Sequence, residues 1–353
     1  MNILISGVGG PTPRSISRSI KISKYNSKLF GTEISPFIHG LYESELYEKN
    51  ILVPKAKNEK YWDIINAFVK KNDIKYAMIQ PEQAALEWTF YKKKGGKWPC
   101  KAILPEYDLV KVLLDKGEMT NILSKSGLVP KSYVIDPNDI DYVKLEETLS
   151  YPFWIRSTSG SSGLGSLKVE CRESLKNWFT INEDVSEFIA STYLPKRNLA
   201  CKLLYYDGEL IRAASAERVN YIMSKVAPSG ITGNTSYGRL LNEPNLVKLA
   251  TKAMDLLFQS TDTKKHGFFT ADFKEDSNGT AYITEINIRM VAFNYSFAMG
   301  GANFSEDILA LMSGDKSFDK AYKMYNFEPG TIFLRDVDAE PILMKESDLV
   351  KYQ

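Results

Sequence analysis

Two carboxylates, an amide and a guanidinium fall at spacings that could gather them in one place. They are Asp272 and, farther on, the alternating residues of Glu285-Ile286-Asn287-Ile288-Arg289. On an extended strand alternate side chains share a face, so Glu285, Asn287 and Arg289 point the same way. Asn278-Gly279 between the two groups suits a hairpin turn, which pairs Ala271-Asp272-Phe273 with Thr284-Glu285-Ile286. Hard oxygen donors brought together this way suit Mg²⁺, with the phosphates of a ligand completing an octahedron. The plain alternative is the exposed polar face of an antiparallel strand.

A second feature is Arg156-Ser157-Thr158-Ser159-Gly160-Ser161-Ser162-Gly163-Leu164-Gly165. A loop of small residues between two strands lets backbone N–H groups close on an anion, since no side chains hold the ligand away. Arg156, at the end of the entering strand, supplies a fixed positive charge and a fork for phosphate oxygens. A flexible hairpin would use the same residues, and the GxxxxGK[ST] spacing of a P-loop is absent. The third feature, Asp115-Lys116 within a helix from Val110 to Ser124, reads by itself as a surface pair.

These residues need elements to hold them. Asn2 to Ser6 is a short apolar run broken by Gly7-Val8-Gly9-Gly10, with a helix beginning after Pro13. Further strands are expected at Lys28 to Glu33, Ile51 to Val53 and Tyr76 to Ile79. The apolar positions of Tyr61 to Lys71 recur at helical spacing. Alternating strands and helices imply a parallel, doubly wound lobe over residues 1–105. From Glu106 to Leu128 the pattern is helical. Strands are then expected at Ser132 to Asp136, Phe153 to Arg156, Leu167 to Cys171, Ala200 to Tyr206, Leu210 to Ala216, Phe268 to Phe273 and Ala281 to Ile288, with a helix at Leu246 to Phe258. The fold class is therefore α/β followed by α+β. The expected divisions are 106–185, a small lobe with the Ser/Gly loop; 186–322, a larger lobe with the acids; and 323–353, a C-terminal extension.

Composition narrows the partners. With 44% hydrophobic and 25% charged residues the chain can build full cores without staples. Its 45 basic residues nearly balance 43 acidic ones, which removes the main electrostatic argument for nucleic acid. Cys100, Cys171 and Cys201 lie far apart and read as reduced thiols. No apolar stretch is long enough to span a bilayer and no signal peptide is evident, so a cytoplasmic protein without a membrane partner is expected.

Together the motifs resemble the ATP-grasp superfamily, in the branch similar to the repeated half of the carbamoyl-phosphate synthetase large chain. The resemblance runs from Met1 to about Asp307. Ile3 to Gly9 with Glu33 is similar to the family's pre-ATP-grasp lobe, and Asp115-Lys116 followed by Gly127-Leu128-Val129-Pro130 to its "DK…GlpvP" passage. Phe153 to Arg156 with Gly160 to Gly165 resembles its phosphate flap, Tyr193-Leu194-Pro195 its "EyLpG" passage, and Glu285 to Arg289 its "EINpR" metal signature. The implied architecture is an N-terminal pre-ATP-grasp lobe followed by a two-lobed ATP-grasp fold.

The resemblance implies that Lys116 and Arg156 hold the phosphates of ATP while Ser157, Gly160, Ser161, Ser162, Gly163 and Gly165 form the loop that closes over them. It implies that Asp272, Glu285 and Asn287 bind Mg²⁺, or Mn²⁺ in its place. Arg289 would contact an acyl-phosphate or substrate carboxylate, and Arg218, before a loop with Gly230 and Gly233, would anchor substrate. The implied reaction activates a carboxylate with ATP and passes it to an amine, a thiol being the second option. The implied partners are small carboxylates and amines, with homodimerisation an option. The sequence departs from the family at Thr192 and Asn198, where acids are usual, at Lys196, where glycine is usual, and at Ile288, where proline is usual. Rival readings are an ATP-binding protein without catalysis and, from Gly7-Val8-Gly9-Gly10 with Glu33, a nicotinamide dehydrogenase.

Overall fold

The structure, a computed structural model, describes residues 1–160, 163, 165–337, 342–345 and 347. Its first layer grows from a short apolar strand, β1 (Asn2–Ser6), in which Ile3, Leu4 and Ile5 are fully buried. Burial on both sides is what a central parallel strand requires. There follow α1 (Pro11–Lys21), β2 (Lys28–Glu33), β3 (Lys49–Leu52), α2 (Tyr61–Lys71), β4 (Tyr76–Met78), α3 (Glu82–Lys93) and β5 (Lys101–Ala102). All pairings are parallel, in the order β3-β2-β1-β4-β5. Helix α1 starts at Pro11, earlier than the sequence suggested; proline is tolerated there because first-turn N–H groups have no acceptor within the helix, so its missing N–H costs no helix bond.

Gly40 locks the glycine turn after β1 into this lobe. A Cβ there would stand 2.0 Å from the carbonyl oxygen of Val8 and 2.7 Å from its carbon. Both are backbone atoms, so neither can swing aside. Gly40→Ala is expected to cost about 3 kcal/mol of stability, the upper part of the overpacking range. A lowered thermal unfolding midpoint is the readout, and an unchanged midpoint would contradict the clash.

The helical stretch after the first sheet is two helices, not one. Helices α4 (Tyr107–Leu114) and α5 (Lys116–Leu123) are separated at Asp115, which takes extended angles and accepts the Glu118 N–H at 3.0 Å. That is an N-cap, and it makes Lys116 the first residue of a new helix. The expectation of Asp115-Lys116 inside one continuous helix is corrected by this cap. A small antiparallel sheet follows: β6 (Ser132–Ile135), α6 (Tyr142–Thr148), β7 (Phe153–Ser157), β8 (Leu167–Val169), α7 (Arg172–Ile181) and β9 (Phe188–Thr192), with strand order β6-β9-β7-β8. Phe153, Ile155, Val169 and Phe188, all fully buried, form its own core.

The largest sheet contains β10 (Asn198–Tyr206), β11 (Glu209–Tyr221), β12 (Thr235–Leu241), β13 (Gly267–Glu275) and β14 (Ala281–Asn287), backed by α8 (Pro244–Thr261), α9 (Asn294–Met299) and α10 (Phe304–Ser313). The stretch set apart in the sequence as an extension adds β15 (Lys323–Met324), β16 (Thr331–Leu334) and β17 (Ile342–Lys345) to the same sheet. The order is β14-β13-β10-β11-β12-β16-β17, with β15 beside β11. The first lobe is fused to this sheet by a continuous apolar cluster that includes Leu4, Ile65, Leu109, Met254 and Phe269. Lys202 of β10 is buried among Phe268, Phe293, Phe297 and Phe304 and donates to Asn294 Oδ1 at 2.7 Å. Burial pushes its ammonium well below lysine's ordinary value. Among the described residues no helix is long and apolar enough to cross a membrane.

Candidate active site

The β13–β14 hairpin places the acids. Asp272 and Glu285 are direct cross-strand partners, and Asn287 donates to Asp272 Oδ2 at 3.3 Å. The pairing slips by one residue after Asp272, so that Phe273 faces Ile283 and not Thr284 as the sequence suggested. Thr284 is the extra residue of a bulge, which frees its carbonyl from the ladder. Arg156 of β7 takes that carbonyl as an acceptor through Nη2, which ties the small sheet to the large one beside the acids.

Three cations face these acids. Arg218 of β11 donates from Nη2 to Asp272 Oδ1, and both side chains are largely buried. Burial works against the Arg218 charge, but Asp272 first and then Tyr221 and Glu285 outweigh it, and its pKa is raised. For Arg156 burial dominates over Glu285 and Asp272, so its pKa is lowered. Lys116, only 7% exposed, lies 3.5 Å from Glu285 Oε1 and donates to the Gly160 carbonyl at 2.5 Å. Its own N–H donates to the Thr158 carbonyl at 2.9 Å, so the α5 start and the Ser/Gly loop hold each other.

The loop closes toward the large sheet. Gly163 has φ +79°, and a Cβ on it would come within 2.7 Å of the Ile231 carbonyl oxygen, a contact only glycine permits. Gly165 packs against Phe188 and Ser157. Ser161 and Ser162, also expected to contact phosphate, lie outside the described residues. Between the loop and the two sheets is a cavity of about 400 Å³. Its lining includes Lys116, Arg156, Ser157, Gly160 and Gly163, with Arg218, Asp272 and Glu285. Trp154, Ile189, Leu194, Phe273 and Ile283 add apolar lining, with Lys274 beside them. These apolar residues were not singled out from sequence. Alternation along β7 was the available signal, since it puts Trp154 on the face that carries Arg156.

Two sequence readings fare differently. Arg289 does not line the cavity. Strand β14 ends at Asn287, so the alternation does not extend to Arg289, whose Nε and Nη2 bond Glu82 of α3 at 3.1 and 2.9 Å. Glu33, the basis of the dinucleotide reading, accepts the Gly9 N–H at 2.9 Å and the Ile34 N–H at 2.7 Å. Its carboxylate closes the glycine turn instead of facing a ribose.

The donor set fits a hard divalent cation shared with phosphates. Two carboxylates sit side by side, and a half-turn of the Asn287 amide would bring its oxygen toward them. Among the described residues no cluster of three acids, histidines or cysteines exists, so protein alone would not complete a coordination shell. Burial pushes Asp272 up to about 6, against the pull of Arg218. A proton on that carboxylate competes with a cation, so Mg²⁺ affinity should fall as pH drops through about 6. One unit lower, apparent affinity should be weaker by about tenfold, as Mg²⁺ titrations of nucleotide binding would show. An affinity flat over that range would rule out Asp272 as a ligand.

No protein-family model matches the sequence, and no curated protein does. Solved structures do match. An N5-carboxyaminoimidazole synthetase from Staphylococcus aureus, complexed with ADP, is similar over 94% of this chain and 81% of its own, at 19% identity and a TM-score of 0.71. The biotin carboxylase domain of 2-oxoglutarate carboxylase from Hydrogenobacter thermophilus, in complex with MgADP and bicarbonate, is similar over 95% of this chain and 74% of its own, at 14% identity and a TM-score of 0.67. An L-amino acid ligase from Bacillus licheniformis is similar over 94% of this chain and 78% of its own, at 15% identity and a TM-score of 0.66. All three are ATP-grasp enzymes, and at these identities the likeness is one of architecture. The chain has the ATP-grasp fold.

Proposed function

We propose that the protein is an ATP- and Mg²⁺-dependent ligase that activates a small carboxylate as an acyl-phosphate and joins it to an amine, releasing ADP and phosphate. The observation that carries this reading is one cavity that combines apolar side chains, four cations (Lys116, Arg156, Arg218 and Lys274) and an adjacent pair of carboxylates under a glycine loop. A flat base suits the part of the cavity lined by Ile189, Phe273 and Ile283. Thr192 and Asn198 also line it, and they would meet the ribose through neutral hydrogen bonds where the family's acids are absent. The triphosphate would then run toward Lys116 and Arg156, which neutralise its charge and hold the γ-phosphate in line. Asp272, Glu285 and Asn287 would hold Mg²⁺, which when bound neutralises phosphate charge as it develops.

The substrate carboxylate would sit at Arg218, whose guanidinium already faces the acids inside the cavity. Its oxygen attacks the γ-phosphorus, the bond to ADP breaks, and the amine then displaces phosphate from the carbonyl carbon. Arg289 pairs with Glu82 and its charge also acts on Asp272, so it would hold α3 against the end of β14 beside the reacting centre. The Gly160 to Ser166 loop excludes water from the acyl-phosphate while it exists. Two of the matched structures, an L-amino acid ligase and a D-alanine–D-alanine ligase, are ligases by name, and others carry ADP, which supports this reading by fold analogy. A cytoplasmic enzyme acting on small molecules, with dimerisation an option, completes the proposal.

The test is ADP release with Mg²⁺ and ATP against pooled amino acids and small carboxylates. Release that depends on one pool supports the ligase and narrows its acid. Tight Mg·ATP binding without ADP release in any pool would favour a non-catalytic nucleotide-binding role. Failure to bind ATP would sink the proposal.

A further inference from the structure

The strand that presents Asp272 carries a second ionisable group to the same cavity. Lys274 stands two residues beyond Asp272 on β13, so the two side chains share a face of the large sheet. The next residue lies on the opposite face and is locked there. Glu275, 5% exposed, accepts from Arg197 Nε at 3.0 Å and from Arg197 Nη2 at 2.7 Å. Lys274 has no such partner. It lines the cavity half-buried; burial works against its charge, and among the described residues no carboxylate offsets that cost. The other three cations of the lining are engaged. Lys116 donates to the Gly160 carbonyl, Arg156 to the Thr284 carbonyl and Arg218 to Asp272.

Strand register says where Lys274 stands. Asn198 of β10 is the direct partner of Lys274 on one side and of Arg218 of β11 on the other. Cross-strand partners point to the same face, so Arg218, Asn198 and Lys274 form one row across three strands. All three line the cavity. Two strand spacings, about 10 Å, separate the ends of the row. Arg218 bends back to Asp272, which leaves Asn198 and Lys274 facing the ligand side by side. A nucleotide with its phosphates at Lys116 and Arg156 and its base against Ile189, Phe273 and Ile283 would bring its sugar to Asn198. An ammonium offers three donors and no acceptor, and the groups a sugar can present to it are hydroxyl oxygens. We propose that Lys274 is the residue that reads the sugar of the nucleotide, donating a charge-assisted hydrogen bond to a ribose hydroxyl oxygen. The placement of the nucleotide rests on the ligase reading above.

The test is a cycle between protein and ligand. Dissociation constants of ATP, 2′-deoxy-ATP and 3′-deoxy-ATP are measured with Mg²⁺ by calorimetry on the full chain, wild type and Lys274→Met. Methionine keeps the stem packed and removes the charge. Lys274→Gln takes its place in the cycle if the methionine variant fails to fold. One of the two deoxy nucleotides should bind wild type at least about tenfold more weakly than ATP, the worth of one hydrogen bond to a charged group. In Lys274→Met, ATP itself should weaken by about that factor, and most of the deoxy penalty should vanish. In ADP release the variant should raise KM for ATP and leave kcat near wild type, because the sugar does not take part in the reaction. Equal deoxy penalties in wild type and variant would overturn the proposal, as would both deoxy nucleotides binding wild type as tightly as ATP. The expected deoxy pattern with no ADP release from any substrate pool would overturn the ligase reading alone. Absence of ATP binding would overturn both.

Discussion

Glu285→Ala should lower ADP release by roughly 10³-fold, the upper end of what one electrostatic contact to a transition state contributes. Glu285 stands opposite Asp272 on the neighbouring strand, so its removal leaves one carboxylate where a divalent cation needs two. The loss should appear in kcat more than in ATP affinity, because Lys116 and Arg156 still meet the phosphates. Folding should survive, since the side chain is 27% exposed and Asp272 keeps its partner Arg218. Glu285→Gln separates charge from shape: it keeps the volume and removes the charge, and it should be as inactive as the alanine variant. Turnover close to wild type in Glu285→Ala would remove the acids from the reaction.

Lys116→Met should cost roughly 10²-fold in kcat/KM, with KM for ATP raised, because it deletes a cation from the phosphate end of the cavity. Methionine can keep the buried stem packed, and the bond from the residue 116 N–H to the Thr158 carbonyl belongs to the backbone and remains. The variant also releases the Gly160 carbonyl, so the glycine loop should loosen along with the phosphate contact. Arginine at this position would not restore the rate. Its planar fork cannot occupy the narrow point that a single ammonium fills between Gly160 and Glu285. Steady-state ADP release for the two variants, set beside Glu285→Ala, separates phosphate neutralisation from metal holding. If Lys116→Met retained wild-type ATP affinity, Lys116 would be a structural tie between α5 and the loop.

Much of the architecture was legible because local patterns agree with the fold. Strands β1 and β2 and helix α2 stand where apolar spacing puts them. The hairpin was legible from Asn278-Gly279, whose Gly279 has the positive φ (87°) that such a turn requires. Where the reading slipped, a local bond had overridden periodicity. The Asp115 cap splits a helix that the apolar pattern would run through, and the Thr284 bulge shifts a ladder by one residue. The strands after residue 322 were illegible because they are short, and partners already in place determine their pairing.

The candidate site divides along the same line. The sequence by itself determined which groups can do the chemistry: acids at alternating strand positions and a run of small loop residues after an arginine. Alternation and backbone freedom are local properties, readable within about ten residues. Only the tertiary structure decided which of these groups meet. Arg218 reaches Asp272 across 54 residues, and Arg156 reaches Thr284 across 128. Arg289 is instead drawn 207 residues away to Glu82. Such encounters depend on how separate sheets pack, and a guanidinium takes whichever carboxylate the packing brings within a few ångströms.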